Sequence, residues 1–279
     1  MTQSQSVPLS FFVDTEDGLS LAVRRQGNPQ GPTIVFIHGL GQAGVVWNRQ
    51  MASELAASFD MVDYDLRGHG DSSKPEHVDA YSNPGLWASD LHAVIEATGA
   101  KQVTLVAWSL GAQVASHYLN RFGAARVRGL NVVGGATRLS AELLGPAALK
   151  YGGLLASPDL QIRSDAIANF LASCFVEPPP EHEYRRLLVI NGMVPKALQI
   201  GVQQTARDES DAAWQLAPKL LVTWGDQDAH TKYEMSRRLL DLHPSAELSV
   251  YEGIGHAPFY EDAPRFNKEL AAFVNEERC

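Results

Sequence analysis

The chain has 279 residues, a net charge of −9 at neutral pH, 45% hydrophobic residues and 20% charged ones. That length suits one large α/β domain, alone or with an insertion, and the acidic balance with scattered lysines and arginines excludes a nucleic-acid-binding face. Two cysteines, Cys174 and Cys279, suit a reducing compartment, and the absence of a basic-apolar leader in residues 1–9 or of any bilayer-length run predicts a cytoplasmic protein with no membrane partner.

Leu9–Val13 and Leu19–Arg25 read as short strands around Asp17-Gly18, a hairpin turn signal. Asn28-Pro29-Gln30-Gly31-Pro32 breaks the chain, and Thr33–Ile37 then forms a continuous apolar strand ending in His38-Gly39-Leu40-Gly41. Trp47, Met51 and Leu55 along one side predict a helix over Val45–Ser58. Gly39-Leu40-Gly41-Gln42-Ala43-Gly44 is a literal G-x-G-x-x-G, and Asp63 and Asp65 close the next strand near the ribose-binding position of a dinucleotide site. Two features weigh against that nicotinamide-dependent oxidoreductase. Hairpin-like strands precede the motif, and Ser109, Asp228 and His256 are left without a use.

Phe59–Tyr64 is a strand, followed by the glycine- and charge-rich loop Asp65–Ser72. Within it His69 and Asp71 read as turn residues rather than ligands, with Arg67 holding the loop through carboxylates or carbonyls. Pro84–Thr98 has proline in its first turn and Gly99 at its end, the asymmetry of a helix. Its Leu86, Leu91, Val94 and Ile95 face the core, and His92 is placed at the surface.

The most informative stretch is Val103–Gly123. Val103–Val106 is a buried-strand run, and Val114, Tyr118 and Phe122 then recur four apart before Gly123, as in a helix. Between them, Ala107-Trp108-Ser109-Leu110-Gly111 leaves room only for a very tight strand-to-helix turn, which exposes Ser109 and demands small neighbours at 107 and 111. The turn also sets Ser109 at a helix N-terminus, where free N–H groups stabilise developing negative charge.

Val127–Val133 is another strand, with no acid at its tip. From 137 to 211 helical patterns are interrupted by Gly145-Pro146, Gly152-Gly153, Ser157-Pro158 and Pro178-Pro179-Pro180, which predicts a helical cap inserted into a core domain of 1–136 and 212–279. Leu149, Leu154, Ile167, Phe170, Leu171, Phe175, Leu187, Leu188, Met193 and Val194 are expected to shape an acyl or aromatic pocket, or to pack the cap's own core. Lys219–Thr223 and Ala246–Tyr251 restore the strands, separated by a helix over Lys232–Leu242. The first strand ends at Trp224-Gly225-Asp226-Gln227-Asp228, the second at a glycine-bracketed loop with His256, and a helix over Ala263–Val274 closes the chain.

Strands alternating with helices imply a mostly parallel sheet, whose ligands bind at the carboxyl ends of the strands. Ser109, Asp228 and His256 follow three different strands at that end, in the order serine, acid, histidine. His182-Glu183 lacks the second histidine of H-E-x-x-H and no Cys/His cluster occurs, so neither a metal nor a cofactor is expected.

These segments, with His38-Gly39-Leu40-Gly41, Asp65–Ser72 and Gly253–Phe259, make the chain resemble the α/β-hydrolase family over about residues 19–274. The likeness is closest to its small bacterial esterases, lactonases and cofactor-free perhydrolases. It implies an eight-stranded, mostly parallel sheet flanked by helices, and a serine hydrolase of carboxylic esters or lactones. Ser109 would be the nucleophile, His256 the base, Asp228 the acid (with Asp226 in reserve), and the N–H groups of Leu40 and Leu110 the oxyanion hole. The chain departs from the common pattern at Ala107, at Ala112 and in lacking a proline soon after Asp228. Serine at the elbow argues against dehalogenase or epoxide hydrolase chemistry. The same triad also serves C–C bond hydrolases, perhydrolases and acyltransferases, and the scaffold serves small-molecule receptors. The expected partner is a small molecule, and self-association is left open.

Overall fold

Runs of β-branched and aromatic residues pair into one eight-stranded sheet in the computed structural model, which describes residues 9–205 and 210–276. Residues 1–8, read above for a leader, and Cys279 lie outside the described residues. The strands are β1 (Leu9–Asp14), β2 (Ser20–Gly27), β3 (Thr33–Ile37), β4 (Asp60–Tyr64), β5 (Val103–Trp108), β6 (Val127–Val133), β7 (Leu220–Gly225) and β8 (Glu247–Tyr251). Their order is β1-β2-β4-β3-β5-β6-β7-β8. The β1–β2 hairpin joins β4 antiparallel, and every pairing from β4 to β8 is parallel.

Parallel strands covered on both faces read as unbroken apolar runs, because alternate side chains serve opposite layers. Val35 and Ile37 of β3 and Leu105 and Ala107 of β5 pack with Leu91, Val94, Ile95 and Val114 from the helices Pro84–Thr98 and Leu110–Phe122. Ile34, Phe36, Val106 and Trp108 turn the other way onto Trp47, Phe259, Phe266 and Leu270. Arg67 and Asp90 are 0% and 1% exposed and share a two-pronged ion pair at 2.6 and 2.7 Å. Arg67 also bonds the carbonyl of Ala80 and the carboxylate of Asp17, which fixes the loop after β4 as expected for this arginine.

Two local readings differ from expectation. The predicted helix over Val45–Ser58 is three short pieces, Gly44–Trp47, Asn48–Met51 and Leu55–Ser58. Ser53 Oγ donates to the Gln50 carbonyl and accepts from Leu55 N–H, which interrupts the ladder. The Gln50 amide meanwhile reaches out to the Phe259 carbonyl at 2.8 Å and to Asn267 at 2.9 Å. His92, placed at the surface by its pattern, is half-buried and stacks on Phe122 at 4.2 Å.

Between β6 and β7 the described chain forms helices at Pro146–Tyr151, Leu160–Ala172, Glu181–Gly192, Lys196–Thr205 and Ser210–Leu216. Leu171, Phe175 and Leu187 are buried, whereas Leu149, Leu154 and Met193 are 50%, 42% and 50% exposed. The shortest elements bury Ala147 and Leu155 instead, because one or two turns can cover only one side. No helix among the described residues is long and apolar enough to cross a membrane.

Candidate active site

The tight turn after β5 has the conformation its crowded sequence demands. Ser109 has φ +53° and ψ −114°, and it is the non-glycine residue with positive φ among the described residues. An L-residue held there stores strain of about 1–3 kcal/mol, which persists only where surrounding contacts over-determine it. Those contacts are visible: Ser109 N–H donates to the Val133 carbonyl at 3.0 Å, and the Ser109 carbonyl accepts from Ala112 and Ala136 at 3.1 Å each. A Cβ on Gly111 would stand 2.5 Å from the Ile37 carbonyl oxygen, so position 111 must be bare. Leu110 opens the helix, and its N–H is among the first-turn donors that have no intrahelical acceptor.

Gly39 faces this serine closely: a Cβ there would lie 3.0 Å from Ser109 Cβ. The loop carrying Leu40 therefore runs beside the elbow, held from beneath by two histidines. His38 donates through Nδ1 to the Gly39 carbonyl at 2.8 Å and accepts at Nε2 from Leu66 N–H at 3.0 Å. His69 donates through Nδ1 to the Arg67 carbonyl and accepts at Nε2 from Gly41 N–H, both at 3.1 Å. Each ring thus needs one protonated and one bare nitrogen, which only the neutral imidazole offers. Burial enforces this, lowering His38 to about 4 and His69 to about 3. Asp71 keeps the turn role expected of it, its N–H donating to Asp65 at 2.7 Å.

The glycine pattern 39–44 is filled by protein contacts. The Asn191 amide packs over Gly41, where a Cβ would come within 2.5 Å of its oxygen. Gly44 N–H donates to Asp65, and Asp63 is held by Arg24 at 2.8 and 2.9 Å. Neither aspartate presents a free edge of the kind a ribose-binding acid needs.

Asp228 and His256 meet. The Nδ1 of His256 donates to Asp228 Oδ2 at 2.8 Å, with side chains 2% and 0% exposed. The N–H groups of His230 and Thr231 satisfy Oδ1 at 2.7 and 3.0 Å, and the Thr231 hydroxyl reaches Oδ2 at 2.6 Å. Burial opposes ionisation of this carboxyl, yet the charge and hydrogen bond of His256, with His230 and Thr231, hold it below the usual range. Asp226 is engaged elsewhere, accepting from Gly253 N–H at 2.7 Å on the exposed side of the turn. His256 is drawn towards the elbow through Trp108, the neighbour of Ser109. The Trp108 indole N–H donates to the His256 carbonyl at 2.8 Å, and the two rings are 5.6 Å apart. Gly134 leaves room for the imidazole, since a Cβ there would lie 2.9 Å from His256 Nδ1.

Two residues near this constellation have no recognisable signal in the sequence. His230 lies 4.6 Å from the His256 ring and is kept neutral by burial, at about 3, with its Nε2 beside the Ser173 hydroxyl at 3.0 Å. Asn191 reaches the loop of Leu40 from a helix about 150 positions away. Only the chain order after each strand tip could have flagged such contacts, and it does not say which helix folds back.

A buried acid–histidine pair, a strained serine at a strand-to-helix elbow and glycines that let backbone approach it lie at the carboxyl ends of strands in a doubly covered sheet. Residues 32–263 match the family model for the α/β-hydrolase fold. The chain belongs to the α/β-hydrolase family of enzymes. A Burkholderia cenocepacia protein described as a "putative aryl esterase" is 34% identical, with 95% of this chain and 98% of that one aligned at a TM-score of 0.90. The esterase RhEst1 of Rhodococcus is 27% identical over 96% of this chain and 98% of its own, with a TM-score of 0.85. A Mycobacterium tuberculosis protein described as a probable oxidoreductase, EphD, is 38% identical over 132 residues, 47% of this chain. That match covers 22% of EphD, so the chain spans about a fifth of that relative's length.

Proposed function

We propose that this protein is a serine hydrolase that cleaves a small carboxylic ester or lactone through an acyl-enzyme. The observation that carries the reading is the His256–Asp228 pair at 2.8 Å, set beside the strained elbow of Ser109. Because Nδ1 is committed to Asp228, Nε2 is the basic nitrogen of His256. It takes the Ser109 proton as Oγ attacks the carbonyl carbon, and the C=O electron pair moves onto oxygen. The N–H groups of Leu40 and Leu110 receive that oxyanion; each such donor is worth roughly 100- to 1000-fold in rate. The intermediate collapses, the C–O bond to the alcohol breaks, and the imidazolium returns its proton to the leaving oxygen. Water deprotonated by His256 then attacks the acyl-enzyme, releasing the acid and restoring Ser109. Similarity to the esterase RhEst1 and to the Burkholderia cenocepacia protein over nearly the whole chain supports ester hydrolysis. In this reading the helices of 137–211 form the cap over the site.

A panel of p-nitrophenyl esters of increasing acyl length, with lactones beside it, tests the proposal. Turnover of at least one class, abolished in Ser109→Ala with circular dichroism unchanged, is the expected outcome. Undiminished turnover by that variant would overturn it.

A further inference from the structure

The loop that carries His256 is stitched to the helical segment between β6 and β7, and one carboxylate makes most of the stitches. His256 N–H donates to the Cys174 carbonyl at 2.9 Å. The preceding N–H, of Gly255, donates to Glu261 Oε1 at 2.9 Å. The other oxygen of Glu261 accepts from Val176 N–H at 2.8 Å and, more weakly, from Glu177 N–H at 3.4 Å. Glu261 thus bridges two chain segments with no regular ladder between them. The packing is close enough that a Cβ on Gly255 would lie 3.0 Å from both the Cys174 oxygen and Glu261 Oε1. Glu261 ends the short helix Pro258–Glu261, whose Phe259 packs on Trp108 at 5.0 Å, so the clamp is continuous with the floor of the elbow.

We propose that Glu261 is a positioning residue for His256: its carboxylate locks the histidine loop to residues 174–177 and so sets the distance from the imidazole to Ser109. This rests on the serine-hydrolase reading above. A carboxylate is the group this bridge needs, because it accepts from donors on two sides at once. An amide offers one accepting oxygen and turns an NH2 towards the other N–H donors. The clamp also makes the helical segment part of the site's framework, with residues 174–177 holding the base in place.

Displacement of a general base by about 1 Å costs on the order of 100-fold. The cost depends on the leaving group. An alkoxide must take its proton from His256, whereas p-nitrophenolate departs as a stable anion. Glu261→Gln is therefore expected to lower kcat/KM on butyl butyrate about ten times more than on p-nitrophenyl butyrate, with KM little changed. Gly255→Ala, which strains the same clamp without removing a charge, is expected to shift the ratio in the same direction and stands in if Glu261→Gln does not fold. Loss of folded protein alone would reduce both substrates equally. Equal losses on the two esters in the folded variants, or no loss at all, would overturn the assignment of Glu261 while leaving the hydrolase intact. A wild-type protein inert on both esters would overturn the hydrolase reading and this one with it.

Discussion

Replacing His69 with glutamine removes one titrating ring from beneath the loop of Leu40 while keeping its hydrogen bonds. The substituted amide can accept from Gly41 N–H and donate to the Arg67 carbonyl, the two bonds that His69 makes at 3.1 Å. The native imidazole is held at about 3 by burial and by the neighbouring His38 ring, 4.9 Å away, against an ordinary 6.5. Because the folded value lies below the unfolded one, the unfolded chain binds more protons between those limits. Stability is therefore full above 6.5 and falls as pH drops towards 3. Between about pH 7.5 and 5 this one histidine accounts for a loss of about 2 kcal/mol. Asp63, raised by burial to about 6, contributes with the opposite sign, but equally in both proteins, so it cancels in the comparison. Urea unfolding followed by tryptophan fluorescence at several pH values measures the difference. His69→Gln is expected to lose about 2 kcal/mol less than wild type over that interval. Equal losses would show that His69 is not kept neutral by the fold, and the reasoning from its two bonded nitrogens would fail.

Arg67→Met leaves the Asp90 carboxylate buried without its partner, and a destabilisation of about 3–5 kcal/mol is expected, read from the urea midpoint. The double variant Arg67→Met with Asp90→Leu should recover much of that loss. Gly111→Ala drives a methyl to within 2.5 Å of the Ile37 carbonyl, so thermal melting should drop by the equivalent of about 1–3 kcal/mol or more, with the elbow displaced. Asp228→Asn preserves the shape of the pair but lets His256 adopt the wrong tautomer; kcat on a p-nitrophenyl ester should fall roughly ten-thousand-fold with little change in melting temperature.

Much of the scaffold was legible because its signals are local. Every residue of Thr33–Ile37 is buried, so the strand reads as an unbroken apolar run. The helix Pro84–Thr98 carries its boundaries in the chain: the Asn83 side chain caps Gly85 N–H, proline starts it, and Gly99 ends it at φ +70°. The elbow was legible because crowding restricts residue types on both sides of Ser109. What failed to show depends on distant partners. The break near Ser53 goes with the Gln50 amide reaching Phe259 and Asn267, more than 200 positions away. Leu149, Leu154 and Met193 satisfy an apolar pattern yet face outwards, since amphipathic periodicity does not say which neighbour a short helix will find. Asp226 and Asp228 stand at one strand tip; the family resemblance selects Asp228 with Asp226 in reserve, and in the fold Asp226 binds Gly253 N–H while Asp228 meets His256.

Peptide mapping after treatment with a fluorophosphonate addresses the serine–histidine–aspartate arrangement directly, because phosphonylation needs a serine hydroxyl activated by a base within reach. A single adduct on the peptide carrying Ser109, formed rapidly in the wild type and slowed at least roughly 100-fold in His256→Ala, is the expected result. An adduct on another serine, or labelling of Ser109 at the same rate without His256, would contradict the arrangement.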